Sequence, residues 1–246
     1  MNSDIIKNLS ARQIQILKAI IEEYIETAEP VGSETLEKKF NLGVSPATIR
    51  NDMVRLTQMQ LLKQPHTSSG RTPTPEALKY YVENLMKTRE LSVAEEVSVK
   101  ERVWDHRQHL DKLMREVTKA LAEKTNTLAL SLLENGDIYY AGAANIFDMP
   151  EFSDFQLTQR LFSLLDQFDF WWDILSRHDD PFYILLGDEF QSETPLSECG
   201  FVYSRFSTPQ IKGAIGVVGP SRLNYQLVIP TVRYVGGLIN EFSSNW

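Results

Sequence analysis

Three side chains within six residues, Arg50, Asn51 and Arg55, carry the hydrogen-bonding geometry that base edges and phosphates require. A guanidinium donates two parallel N–H bonds to guanine or to phosphate, and a carboxamide both donates to and accepts from adenine. Laid out at about 100° per residue, "PATIRNDMVRLTQM" puts Ile49, Met53 and Leu56 on one face. Ala47, Thr48, Asn51 and Arg55 fall opposite, with Arg50 on the flank. Small residues, a hydroxyl, an amide and guanidiniums suit close approach to a DNA major groove. A solvated amphipathic helix is the plainer reading, though such helices are usually richer in Glu and Lys.

A second polar group follows at once. The stretch "HTSSGRTPTPE" offers His66, Thr67, Ser68, Ser69, the backbone amide of Gly70 and Arg71, and holds almost nothing apolar. It cannot be core. Leu61, Leu62 and Lys63 read as a short strand, "RTPT" as its returning partner, and "TSSG" as the turn between them. The hairpin tip is thereby offered to phosphates or a minor groove.

No comparable set supports catalysis. Asp148, Glu151 and Asp154 are carboxylate-rich at spacings of three but have no adjacent nucleophile or histidine, and a helix start accounts for them. His106 and His109 lack a third ligand and read as solvated helix residues, so neither metal nor cofactor is expected. "GAIGVVGPSR" is glycine-rich without the P-loop lysine or the Rossmann spacing; it reads as a strand, a turn at Gly219-Pro220 and a helix start at Ser221. The aromatic run "FDFWWDI" (Phe168, Phe170, Trp171, Trp172) is core or a partner surface.

The elements that must position these residues are marked by local chemistry. Ser10 with Gln13 forms a capping box opening a first helix, whose apolar positions are Ile14, Leu17, Ile21 and Tyr24, widened by Ile16, Ile20 and Ile25. "AEPVGS" breaks it; Ser33 is expected to cap a short second helix closed by Gly43. Ser45-Pro46 opens the third helix, and Thr74-Pro75 a fourth, "EALKYYVENLM". Two short helices and a tight turn followed by a hairpin make a winged helix-turn-helix. Ser45, Ala47, Thr48, Arg50, Asn51, Arg55 and Lys63 join the hairpin-tip residues as the expected DNA-binding set. Thr48, Asn51 and Arg55 would read bases; Arg50, His66, Ser68 and Arg71 would grip phosphates.

Beyond it, residues 93–126 read as one long charged helix, suited to bridging domains or pairing with its copy in a dimer. Strand-like runs lie at 127–133, 137–142, 182–187, 200–206 and 211–218, and helical patterns at 154–177 and 222–243. The expected fold is α+β: a DNA-binding domain over 1–90, a linking helix over 91–126, and a regulatory or dimerisation domain over 127–246.

Charge agrees with this division. The chain of 246 residues has a net charge of −8, yet residues 38–87 hold eight basic and three acidic side chains. A basic island in an acidic protein marks a local polyanion site. The single cysteine, Cys199, excludes an intramolecular disulfide and suits a reducing cytoplasm. "MNSDIIKNLSARQ" has no apolar core of a signal peptide, and no apolar run approaches the roughly 20 residues that span a bilayer.

At "SPATIRNDM" and "LLKQPHTSSGRTPTPEALKYYV" the sequence closely resembles the heat-inducible transcription repressor HrcA family, whose signature runs S-x-A-T-I-R-N-x-M, then G-L-L-x-Q-P-H-T-S-A-G-R-x-P-T, then Y-Y-V. Ser69 replaces the family's alanine, Gln60 its glycine, and "PEALKYY" a glycine-tyrosine-arginine run. "IYYAGAANIFDMPEFSD" and "IKGAIGVVGPSRLNYQLVIP" resemble later family segments more weakly. The resemblance implies a GAF-like C-terminal fold and a homodimer on an inverted-repeat operator of the CIRCE type ahead of chaperone genes. It also implies the chaperonin GroEL as a modulator. One departure is large: "LALSLLENGDIYYAGAANIF" passes from the first strand to the N-I segment with no room for the family's inserted domain, which is associated with dimerisation. A ligand-gated regulator of other genes and a winged-helix module that binds only protein are the alternatives; an enzyme is not expected.

Overall fold

The computed structural model describes residues 9–87, 89–190 and 196–243, in two compact units that divide after Lys87. Of "MNSDIIKNLSARQ", the segment read above for a signal peptide, residues 1–8 lie outside the described residues.

The first unit is built from local capping signals. Helix α1 (Ala11–Thr27) starts at the Ser10–Gln13 capping box, with both reciprocal bonds formed. It buries Ile16, Leu17, Ile20 and Ile21 completely. Helix α2 (Ser33–Phe40) differs from expectation at both ends. Its N-cap is Gly32 rather than Ser33, and Asn41, not Gly43, closes it in the left-handed region at φ 35°. Gly43 takes a positive φ two residues later. Asn tolerates that conformation because its short amide bonds locally. Helix α3 (Pro46–Gln58) begins as its sequence dictates: the Ser45 Oγ accepts from the Thr48 N–H, and Pro46 fills the first turn.

Strands β1 (Leu62–Lys63) and β2 (Thr72–Pro73) pair antiparallel, Leu62 opposite Pro73 and Lys63 opposite Thr72. Arg71 and Val31 exchange both backbone bonds at 2.9 Å, adding a one-residue third partner from the α1–α2 connection. Helix α4 (Pro75–Tyr80) is capped by Thr74 and continues as a π turn over Tyr81–Leu85. Tyr81 ties it back to α1 through Glu22 at 3.4 Å.

In the second unit, residues 93–126 are not one helix. They form α5 (Val93–Trp104) and α6 (Leu110–Thr125), broken by a turn over 105–108. Both belong to the second unit rather than standing free as a linker. Strands β3 (Leu128–Leu133), β4 (Ile138–Ala141), β5 (Phe182–Leu186), β6 (Cys199–Ser207) and β7 (Lys212–Pro220) make one antiparallel sheet in the order β4-β3-β7-β6-β5. Helices α7 (Phe155–Leu165) and α8 (Phe168–Ser176) cover the face carrying Leu128, Leu130, Leu132, Phe201 and Tyr203. Helix α9 (Tyr225–Ser243) and α6 cover the other, where Thr118 and Ser131 share a buried hydroxyl bond of 2.6 Å. Gly236 lets α9 lie against β6, since a Cβ there would stand 2.4 Å from the Ser204 Oγ.

Trp171 settles the aromatic run: it is fully buried and donates its indole N–H to the Leu164 carbonyl at 2.8 Å. Phe168, Phe170 and Trp172 pack partly buried around the same core. The glycine-rich strand runs through Pro220, and the following helix begins at Tyr225 rather than Ser221.

Candidate nucleic-acid interface

Helix α3 presents its expected faces. Ile49, Met53 and Leu56 are buried, while Ala47, Arg50, Asn51 and Arg55 are exposed and Thr48 is half-buried. The Ser45 Oγ lies 3.0 Å from the Thr48 Oγ1, so those two hydroxyls are shared with each other and with the cap. Two further residues complete the outward stripe and escaped the sequence reading. Val54 is 40% exposed despite being apolar, and Gln58 is exposed one turn on. At 100° per residue, Ala47, Asn51, Val54 and Gln58 are nearly in line. The signal was present in their spacing, but an apolar residue does not announce itself as surface.

The helix is anchored by a charge. Asp52 is buried on its inner flank and accepts from the Arg12 Nε of α1 at 2.7 Å, which holds the Arg12 guanidinium above its ordinary pKa. Arg55 reaches the same carboxylate only at 4.0 Å and keeps 66% of its side chain exposed.

The hairpin tip is an ordered turn. The Gln64 amide donates to the carbonyls of Thr67 at 2.9 Å and Ser69 at 3.2 Å. The Ser69 Oγ accepts from the His66 N–H at 3.0 Å and donates to the His66 carbonyl at 2.7 Å. Thus Gln64 and Ser69 are spent on shape, and Lys63, His66, Thr67 and Ser68 are left exposed. Gly70 is required where it stands: a Cβ would lie 2.4 Å from the Val31 carbonyl oxygen.

Arg71 is half-buried, unlike the freely exposed wing residue expected. Its Nε donates to the Thr57 Oγ1 of α3 at 3.1 Å, fastening the hairpin to that helix. Burial first, and the nearby Arg50 second, lower its pKa. The two guanidiniums border a cleft of about 300 Å³ that also takes in Ser33, Glu34, Gln64 and Ser69. Two neighbouring cations favour an anion beside them, and the Glu34 carboxyl lining the same cleft works against it.

Two of the three carboxylates singled out in the second unit, Asp154 and Glu151, have structural employment. Asp154 caps α7 by accepting from the Gln156 and Leu157 amides, and Glu151 forms a two-bond pair with Arg222. His106 lies in the turn between α5 and α6 and His109 is the N-cap of α6, so the two do not share one helix as expected. Among the described residues, no group of three His, Cys, Asp or Glu could hold a metal. Cys199 is buried, and burial with nearby Glu198 pushes its thiol up to about 12, outside nucleophilic use. Among the described residues, no helix is long and apolar enough to cross a membrane.

Comparison with known proteins gives the chain's family. A family model described as the HrcA protein C-terminal domain matches residues 47–229. The heat-inducible transcription repressor HrcA of Symbiobacterium thermophilum is 27% identical, with 94% of this chain and 98% of that protein covered. That of Moorella thermoacetica is 43% identical over 124 residues, half of this chain and 36% of the relative. The Symbiobacterium alignment spans 335 positions, whereas this chain has 246 residues, so at least 89 of its positions face no residue here. The stretch from β3 through β4 to Asn145-Ile146 is the one read above as having no room for the inserted domain. A crystal structure of a hypothetical protein superposes with a TM-score of 0.76 at 16% identity, over 97% of this chain and 99% of the other, a likeness of mixed α+β fold. The family match alone takes in well over half of the residues: the chain belongs to the HrcA family.

Proposed function

We propose that this protein is a heat-inducible transcription repressor that grips DNA with its first unit, read as a winged helix, and is regulated through its second, read as a GAF-like domain. The observation that carries the reading is the outer stripe of α3 lying beside an ordered, polar hairpin within the basic segment 38–87. In the major groove, Asn51 and Arg55 suit adenine and guanine, Thr48 suits either, and the Val54 methyls suit a thymine methyl. Ala47 allows the helix to come close. Arg50 and the outward N–H groups of Arg71 clamp one backbone phosphate, while Lys63, His66, Thr67, Ser68 and the Gly70 backbone follow the strand. The relatives' named activity, transcription repression, supports a binding protein rather than an enzyme.

The target is an inverted repeat of the CIRCE type read by a homodimer in the cytoplasm, with the chaperonin GroEL favouring the active form. A titration of labelled inverted-repeat DNA at two salt concentrations, with and without chaperonin, tests the whole reading. Affinity should fall steeply with salt and exceed that for scrambled DNA by at least about a thousandfold. Equal affinity for both sequences would sink it.

One observation favours a ligand-gated variant of the same reading. The second unit holds an open cavity of about 590 Å³ bordered by Trp172, Arg205, Thr208 and Lys212. A small molecule that raises the melting temperature and changes operator occupancy without heating would select that variant.

A further inference from the structure

The cavity of about 590 Å³ in the second unit has walls of two kinds. Apolar side chains make one of them: Trp172 and Leu175 in the second half of α8, with Phe206 near the end of β6. The Trp172 ring is stacked on Phe168 at 5.3 Å with 19° between the planes, which holds the indole in one orientation. Phe206 lies across its β7 neighbour because Gly213 has no side chain; a Cβ there would stand 2.6 Å from the Phe206 ring. Such a size and lining belong to a site for a small organic molecule.

The other wall carries charge that the fold leaves unspent. Arg205, Ser207 and Lys212 fall on the sheet face of Tyr203, since side chains alternate along β6 and Lys212 stands opposite Ser207 in register. Arg205 is half-buried and donates Nη1 to the Leu175 carbonyl at 3.2 Å and to that of His178, closing the C-terminal end of α8. Its Nε and Nη2 make no hydrogen bond among the described residues. Lys212 is exposed, and its ammonium has no ion pair among the described residues. The Glu134 carboxylate beside it accepts instead from the Lys212 backbone N–H at 3.0 Å. Asp179, also exposed, is the only carboxylate on the border among the described residues. Two cations against one carboxylate leave one positive charge in surplus.

We propose that this cavity binds a small aromatic monocarboxylate, its ring against Trp172 and Phe206 and its carboxylate on Lys212 and the open N–H groups of Arg205. Asp179 sets the limit on charge, because it would repel a second carboxylate on the ligand. The inference names the ligand class for the ligand-gated variant of the proposed function, and its regulatory meaning rests on that variant. Every residue it uses lies in the second unit, so binding is measured without DNA.

Isothermal titration calorimetry of the full chain with sodium phenylacetate tests the site, with phenethylamine and acetate as controls. Phenylacetate should bind at one site per chain. Phenethylamine has the same ring and the opposite charge, and acetate the same charge and no ring; each should bind at least about tenfold more weakly. Lys212→Glu should weaken phenylacetate about tenfold or more, and Asp179→Asn should tighten it. Both positions are exposed, so without ligand the variants should keep the circular dichroism and melting temperature of wild type. The proposal is overturned if millimolar phenylacetate gives neither heat nor a rise in melting temperature, if phenethylamine binds equally, or if Lys212→Glu binds like wild type. Operator binding is read separately. Phenylacetate that binds through Lys212 and leaves operator affinity unchanged keeps the site and removes the gating. A wild type that binds phenylacetate but no operator keeps the site and removes the repressor reading.

Discussion

Asp52 and Arg71 are polar groups turned inward, and each sets the geometry of its more exposed neighbour. Asp52 holds its bond to Arg12 at 2.7 Å and leaves Arg55 at 4.0 Å, near enough to be steered and too far to be spent. An arginine so placed has its two-pronged fork open for the guanine contact proposed above. Arg55→Ala should therefore lose about 1–3 kcal/mol of discrimination between operator and scrambled DNA. Competition binding reads this, and Val54→Ala in the same assay should lose preference at an A·T pair. Equal weakening on both DNAs would make Arg55 a phosphate contact. Arg71 divides its guanidinium between Thr57 and the cleft it shares with Arg50. Arg71→Ala should lower the salt slope by about one and also loosen the hairpin. Arg71→Lys should keep the slope while losing the fixed bond to Thr57. An unchanged slope in the alanine variant removes this residue from the phosphate contacts.

At the scale of elements, the hairpin is held by backbone rather than by its two-residue strands. Arg71 and Val31 exchange two bonds, and Gly70 allows the approach. Gly70→Ala forces a Cβ against a carbonyl that cannot retreat, a clash of the overpacking kind costing about 1–3 kcal/mol. The first unit should melt earlier and bind operator more weakly; a variant melting like wild type would mean the connection yields freely. The α5–α6 pair has a charge-based analogue. Lys124 first, then the Ser92 backbone and hydroxyl, hold the Glu95 carboxyl down from 4.5 to about 2. A depressed carboxylate contributes stability above its unfolded pKa and loses it as pH falls from about 4.5 through about 2. Acid titration of the second unit should show that loss, and Glu95→Gln should flatten it; identical acid profiles would remove Glu95 from the packing of α5. These elements also show what one sequence discloses. Ser10, Ser45-Pro46 and Thr74-Pro75 announced three helix starts, since capping is a contact within four residues. The break after Trp104 was hidden because 105–108 hold neither proline nor glycine and the apolar period continues past them. The inward turn of Arg71 was equally hidden, because Thr57 and Val31 are partners supplied by tertiary structure. Asn51, Arg50 and Arg55 were legible as a surface because a helix period fixes their direction; Val54 and Gln58 lie on that surface through the same period.

For the whole molecule, the proposed reading of an inverted repeat requires two copies of α3 to meet DNA at one spacing. On that reading a rigid homodimer would fix the separation and the rotational phase of its reading heads. Such a dimer demands half-sites about one helical turn or a whole multiple apart, around 10 base pairs per turn. Inserting about five base pairs between the halves of the operator rotates one half to the opposite side of the duplex. Affinity should then collapse to that of a single half-site, while insertion of about ten should recover part of it, less the cost of a longer reach. Fluorescence anisotropy on the three DNAs, at one salt concentration, measures this directly. Indifference to phase would mean that the two reading heads are flexibly tethered. Specificity would then come from each copy of α3 alone.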